Sequence, residues 1–411
     1  MRLRIATPII ILIFTLLIAA CTDNLYAQEQ FTFQDVMQFK SIDNPVISAD
    51  GDWIAFAVWP ERGDGEVRIR QTEGNTEFVI ERGERPQISS NSKWVATIVK
   101  PPFLELENAD NNNGPKNSLV VLNIETGERQ YIEEVRNFEF SNNGEWLVVT
   151  LERPDDFESD NPNVGYHRQL INLQSEETLD IQFVNEIAID STSAYAVYSI
   201  SDTLGENNAL FAIDLAEELE PVQLLGQSYA YYDNFSWDQK RSRLALTVTE
   251  IDTANDYRLH DASIVTWQAF YGEPEILIMP DQVEEGYRLR SRNNMTWTHD
   301  GERFFYGVKD ADMVALNERE EPSDSLTTEN MYDSDHILNE VQGKVWHWND
   351  PLIKTHEKQT FDSRKNHLYT AVYHLDDDRT IQLATKDLPY VSVSHNTGNV
   401  IGSAIPETDY P

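Results

Sequence analysis

Apolar and polar positions alternate in short runs along this chain, and the runs return in one recurring phrase. Ile47-Ser-Ala-Asp-Gly-Asp-Trp-Ile-Ala-Phe-Ala-Val58 sets the pattern: an apolar residue and a Ser, a polar turn with Gly, then a strand of alternating character. Related phrases open at Ile88, Phe140, Ile189, Phe235 and Trp297. Ser48 with Trp53, Ser89 with Trp94, Ser141 with Trp146, and Asp190 with Tyr195 hold a single register. Ser, Asp, Asn and Gly supply tight reversal geometry, while β-branched and aromatic residues suit a pleated, half-buried surface. Each copy therefore predicts a turn followed by an inner strand.

Partner strands ended by turns lie between the copies, at Val67 to Arg70, Ser118 to Gly127 and Leu210 to Leu215. The copies start at Ser48, Ser89, Ser141, Asp190, Ser236 and Thr298, 41 to 62 residues apart. That brackets the period of about 40 to 50 residues expected of four-stranded propeller blades. Two degraded copies are read at Thr360 to Tyr373 and Val391 to Gly402. The expected fold is all-β, a propeller of about seven to eight blades built from TolB/WD40-like repeats, with closure of the ring left open. Before the first blade, Phe31-Thr-Phe-Gln-Asp-Val-Met-Gln-Phe39 predicts a short helix capped by Thr32. The polar stretches at Glu107 to Pro115, Asp155 to Pro162 and Asn317 to Ser334 are expected to be solvated loops.

Charge narrows the partners. Against 70 acidic residues stand 32 basic ones, a net charge of −38, which repels nucleic acid and anionic lipid headgroups. With 40% hydrophobic and 10% aromatic residues the chain still has the means to fold.

The N-terminus reads as an export signal. Met1-Arg-Leu-Arg4 is basic, and the apolar run from Ile5 to Ala20 is short for a membrane span. It ends Leu16-Leu-Ile-Ala-Ala-Cys21, which resembles the bacterial lipobox. Cys21 is the one cysteine, so no internal disulfide can form, and the lipobox resemblance implies a lipid anchor on it, with periplasmic or outer-membrane placement. The alternative is cleavage after Ala27 and a soluble secreted protein. The chain thus divides into a signal and lipobox region (1–27), a linker with the short helix (28–46) and the propeller (47–411).

Three features together resemble the N-terminal half of exported serine peptidases of the prolyl-oligopeptidase (S9) family. They are the Phe31 to Met37 opening, the Ser-x-Asp-Gly repeats, and Val345-Trp346-His347-Trp348-Asn349-Asp350-Pro351. The resemblance implies a propeller that screens peptide substrates for an α/β-hydrolase domain carrying a Ser-Asp-His triad. No stretch with that domain's alternating strands and helices follows, so catalysis by this chain alone is not expected and no catalytic residue is assigned. The other reading is a stand-alone TolB-like periplasmic propeller that binds a protein or glycan.

Further candidates are weak. Gly226-Gln-Ser-Tyr-Ala230 lacks the second glycine of a nucleophile elbow, which argues against Ser228. His347, His356, His367 and His374 lack the spacing of a zinc site, and neither metal nor cofactor is expected. The doublets at Glu133, Glu217 and Glu284 read as solvated faces.

Overall fold

The computed structural model describes residues 31–109, 114–217, 219–238, 240, 242–269, 271–318, 332, 334, 354–393 and 402–405. They form two compact units. The first runs to Ile88 and takes in Val95–Leu122 and Thr126–Tyr131; the second takes in Ser89–Trp94, Asn123–Glu125 and the chain from Ile132 on.

In the first unit, α1 (Phe33–Met37) begins at Thr32, whose side chain accepts from the Asp35 N–H while the Asp35 carboxylate accepts from the Thr32 N–H, a reciprocal cap. Two antiparallel four-stranded sheets follow, each in chain order. One is β1 (Lys40–Ile47), β2 (Trp53–Pro60), β3 (Glu66–Gln71) and β4 (Glu77–Glu81); the other is β5 (Gly83–Ile88), β6 (Trp94–Val99), β7 (Ser118–Asn123) and β8 (Arg129–Ile132). Between β6 and β7, α2 (Phe103–Asn108) occupies part of the stretch expected to be loop.

The second unit continues the meander with β9 (Val135–Phe140), β10 (Trp146–Leu151), β11 (Tyr166–Asn172), β12 (Thr178–Ile189), β13 (Tyr195–Ile200), β14 (Ala209–Asp214) and β15 (Val222–Gly226), hydrogen-bonded in that order. The twelve residues of β12 serve two blades. Its first half pairs with β11 and its second with β13, and the change falls beside Phe183, whose φ is 58°. The next blade is β16 (Ala230–Trp237), β17 (Arg243–Asp252), β19 (Ser263–Gln268) and β20 (Tyr271–Ile278), with β18 (Arg258–Leu259) as a side hairpin on β17. In the sixth, the first strand is broken into β21 (Tyr287–Arg288) and β22 (Thr296–Trp297), followed by β23 (Arg303–Asp310), β24 (Tyr369–His374) and β25 (Arg379–Gln382). A hairpin of β26 (Tyr390–Val393) and β27 (Gly402–Ile405) comes last. Every described pairing is antiparallel, which agrees with the all-β propeller reading; the described residues hold six four-stranded blades plus this hairpin, against the seven to eight blades expected.

The core of the second unit lies between successive sheets. Val148, Leu170 and Tyr198 pack together, then Leu210, Leu244 and Trp267, then Ile264, Phe304 and Tyr373. A strand whose two faces both meet neighbouring blades loses the strict alternation of a half-exposed sheet. Accordingly Trp146 to Val149 and Ala196 to Ser199 are buried without interruption.

The recurring phrase forms a turn and an inner strand, as expected: its first residue ends the first strand of the blade, and after the turn the rest is the second strand. At the first residue of the turn the Ser48 N–H donates to the Trp53 carbonyl at 2.9 Å, and Ser48 Oγ accepts from the Trp53 N–H at 3.0 Å. The same two bonds join Ser89 to Trp94, Ser141 to Trp146, Asp190 to Tyr195 and Thr298 to Arg303. The residue two further on locks the turn from inside: Asp50, Asn91, Asn143 and Asp300 accept from the N–H groups of Asp52, Lys93, Glu145 and Glu302. The fourth residue takes φ of 81° at Gly51, 71° at Gly144 and 69° at Gly301, which is why glycine recurs there.

Two expectations need correction. The fifth copy starts at Asp238, not Ser236: the Asp238 N–H donates to the Arg243 carbonyl, while Ser236 Oγ donates to Met295 O. Thr360 to Tyr373 is no repeat, since α4 (Lys354–Lys365) covers its first half and β24 the rest. The connection from β23 to β24 is one long insertion that opens with α3 (Ala311–Glu318) and ends with α4. The loop before β11 is also tied down, because buried Asn161 donates to Ser201 Oγ and to Asp202 O.

Candidate functional site

Four residues before each turn stand Asn44, Arg85, Asn137, Glu186, Asn234 and Asn294. In four blades the first strand slips register here, between Asp43 and Val46, Glu84 and Gln87, Val184 and Ile187, and Asp233 and Ser236. The left-handed φ of 49° at Asn44, 50° at Arg85 and 54° at Asn234 explains the preference for Asn, which tolerates that region. A β-bulge re-aims side chains and leaves backbone groups to be satisfied otherwise. Buried hydroxyls on the second strands do this: Thr97 Oγ1 donates to Glu84 O, Thr247 Oγ1 to Asp233 O, and Ser199 Oγ accepts from the Glu186 N–H.

Glu186 is the carboxylate of this series, and its bulge gathers a cluster. It shares a side-chain hydrogen bond with Asp233 of the next blade and accepts from the Phe235 N–H at 2.9 Å. Burial, then the hydrogen bond and the negative charge of Asp233, push its pKa up to about 8. Tyr231 Oη donates to Asn185 Oδ1 at 2.7 Å, and burial, with the charges of Asp233 and Glu186, holds this phenol well above its ordinary range. Arg168 Nη2 donates to Asn185 O at 2.9 Å, while its Nε is buried with no hydrogen-bond partner. Burial pulls the guanidinium down, and Glu186 and Glu139 oppose that. A cavity of about 260 Å³ adjoins the cluster, lined by Glu139, Asn142, Val148, Glu186 and Ile189 among others. The group can hold a proton near neutral pH and present donors and acceptors to a polar ligand.

Several residues singled out from sequence lie outside the described residues: Cys21, and the phrase Trp346, His347, Trp348, Asp350 and Pro351, which belongs to the insertion between β23 and β24. Ser228 sits in an exposed turn with its Oγ donating to Glu206 O. Glu133 and Glu134 line a separate cavity of about 400 Å³, and Glu284 and Glu285 are exposed. Among the described residues no three His, Cys, Asp or Glu side chains converge as a metal site. The cluster around Glu186 was missed because Glu186 and Asp233 are far apart in sequence; the signal was the lone acid in a position otherwise held by Asn or Arg.

The fold defines an all-β protein of propeller blades. No protein-family model matches the chain, and no curated protein is similar to it. Among solved structures it is similar to the propeller domain of the trilobed protease of Pyrococcus furiosus, at 13% identity and a TM-score of 0.35, covering 66% of this chain and 80% of that one. It is also similar to the acylaminoacyl peptidase of Pyrococcus horikoshii, at 12% identity and a TM-score of 0.35, over 66% of this chain and 43% of that one. The hydrazine synthase of Kuenenia stuttgartiensis matches at 13% identity and a TM-score of 0.35, over 88% of this chain and 99% of that one. Likenesses this distant define neither a family nor an activity.

Proposed function

We propose that this chain is the non-catalytic propeller portion of an exported S9 prolyl-oligopeptidase-like serine peptidase, gating access of peptide substrate to an α/β-hydrolase domain. The reading is carried by the repeats: one hydrogen-bonded turn, used six times, joins the first two strands of six antiparallel blades. The capped opening at Phe31 to Met37 and the Trp346 to Pro351 phrase add to it. Acyl transfer requires a nucleophile, a base and an orienting acid within hydrogen-bond reach of one another. The Glu139, Arg168, Glu186 and Asp233 cluster suits a different task, binding and orienting polar groups. The purified chain is expected to leave prolyl-peptide substrates uncut. The gene is expected to encode a Gly-x-Ser-x-Gly hydrolase domain beyond the Pro411 codon, in the same or the next frame. A stop codon followed by an unrelated gene would instead favour a stand-alone TolB-like binder, and hydrolysis by the chain itself would exclude both.

Localisation follows from Cys21, which we read as the lipid-bearing first residue of the mature protein, facing the periplasm or held at the outer membrane. Two or three acyl chains anchor stably at about 0.8 kcal/mol per buried CH₂. In cells fed labelled palmitate, the protein is expected to carry label and sediment with membranes, and Cys21→Ala to lose both properties. An unlabelled, soluble wild type beginning at Gln28 would overturn this.

A further inference from the structure

A third cavity, of about 720 Å³, lies along the fourth blade, within the second unit. Small-molecule sites occupy roughly 300–1,000 Å³. One wall is the middle of β12. Ile181 pairs with Arg168 of β11, and Val184 with Ile200 of β13, so Gln182 and Phe183 between them are paired with neither strand. Phe183 holds a φ of 58°, a strained region for a bulky side chain. Its carbonyl keeps it there, accepting from the N–H of buried Ser201 at 2.9 Å and lying so close to Gly165 that a Cβ on that residue would clash. Backbone outliers of this kind cluster at ligand sites, and both Gln182 and Phe183 line the cavity.

The rest of the wall is a loop zipped to a turn. Between β13 and β14 the Asp202 carboxylate accepts from the Leu204 N–H at 3.1 Å, the Asn207 N–H at 3.2 Å and Asn207 Nδ2 at 2.7 Å. Buried Asn208 accepts from the Asp202 N–H at 3.0 Å and donates to Ala230 O at 2.6 Å. Ser228 Oγ, in the turn after β15, donates to Glu206 O at 2.8 Å. The side-chain amides of Gln182, Gln223 and Gln227 line the cavity and have no hydrogen-bond partner among the described residues. Phe183 and Phe211 add apolar faces, and the Phe211 ring is stacked on Tyr198 with 5.2 Å between centroids. Among the described residues no Lys, Arg or His lines the space.

We propose that this cavity binds a neutral carbohydrate. Each open amide offers donors and an acceptor in one plane, which suits the adjacent hydroxyls of a sugar, and the two phenyl rings cover the apolar C–H face of its ring. An anion would meet no cation in the cavity and the field of a chain of net charge −38 around it. A cation would find Asp202 already accepting three hydrogen bonds from its own loop. Because that loop is tied to the turn beyond β15, little ordering is left for binding to supply. The site lies along a single blade and needs no second domain, so it stands independently of the peptidase reading.

The test is isothermal titration of the full chain with maltotriose, cellotriose, mannotriose and N-acetylated chitotriose, beside a capped neutral tripeptide. At least one of the sugars is expected to bind saturably. Gln182→Ala combined with Gln227→Ala, both at exposed positions, is expected to keep the urea midpoint and to weaken that binding at least about tenfold, since each amide supplies a neutral hydrogen bond. If the double variant fails to fold, Gln223→Ala decides in its place, with an expected loss of about threefold. No binding by any of the sugars, or undiminished affinity in the variant, overturns the proposal. Binding of the tripeptide alone, abolished in the variant, overturns it as well and assigns the cavity to extended peptide.

Discussion

Asp238→Ala is expected to be among the most damaging single substitutions in the second unit, costing roughly 3–5 kcal/mol, the range for a buried ion pair that loses one partner. The Asp238 side chain is 0% exposed and that of Arg243 is 13% exposed, with Oδ2 and Nη2 3.1 Å apart. Asp238 Oδ1 also accepts from the Lys240 N–H at 2.9 Å, closing the fifth turn. Arg243 carries the interaction into the next blade: its Nη2 donates to Gly301 O at 2.5 Å and its guanidinium lies 4.2 Å over the Trp297 ring. Removing the carboxylate leaves a desolvated guanidinium between two sheets, which costs far more than the net worth of the pair. Asp238→Asn should lose less, because the amide oxygen still accepts. Ser236→Ala, at the position that spacing alone had marked, loses one bond to Met295 O and should cost about 1 kcal/mol. Urea unfolding of the three variants decides the register, and equal midpoints for Asp238→Ala and Ser236→Ala would refute it.

That register shows where sequence reasoning reached its limit. The turn was legible because its chemistry is local: a hydroxyl or carboxylate, a short acceptor two residues on, and a residue that tolerates positive φ. Third strands such as β3, β7 and β14 were legible from apolar runs ending in turns. The fifth copy misled because Phe235-Ser236-Trp237 imitates the opening of a repeat two residues early. Thr360 to Tyr373 misled in the same way, yet the segment from Lys354 to Lys365 has neither Gly nor Pro to stop a helix. The spacing of 31 residues between the two degraded copies was the warning, since it cannot hold four strands. The carboxyl cluster was not legible at all, because it forms only when neighbouring blades bring their first-strand bulges together. What could be read was its residue class: an acid at Glu186 where the other repeats place Asn or Arg.

Glu186→Gln is expected to change the pH dependence of stability more than any other substitution at the cluster. The carboxyl has a pKa of about 8 in the folded protein, above the ordinary value of 4.5. The folded state therefore binds this proton more tightly than the unfolded chain. Its stabilisation is complete below about pH 4.5 and is lost as pH rises through about 8, at up to roughly 1.4 kcal/mol per pH unit. Discounted for sharing with Asp233, the loss between pH 5 and pH 8 should be on the order of 3 kcal/mol. A glutamine at this place imitates the protonated acid: its NH₂ can donate to Asp233 while its oxygen accepts from the Phe235 N–H. The variant should match the wild type near pH 5, exceed it at pH 8, and show a flatter curve between. Asp233→Asn should flatten the curve too, though less, because burial contributes most to holding the proton on Glu186 and the Asp233 charge only adds to it. Self-repulsion of the acidic surface acts on all three proteins alike, so the difference between curves isolates the pair. Parallel curves for wild type and Glu186→Gln would mean that Glu186 is ionised in the folded protein. Glu186 would then add its own negative charge beside Arg168, and a polar ligand would meet an anionic site instead of a protonated one.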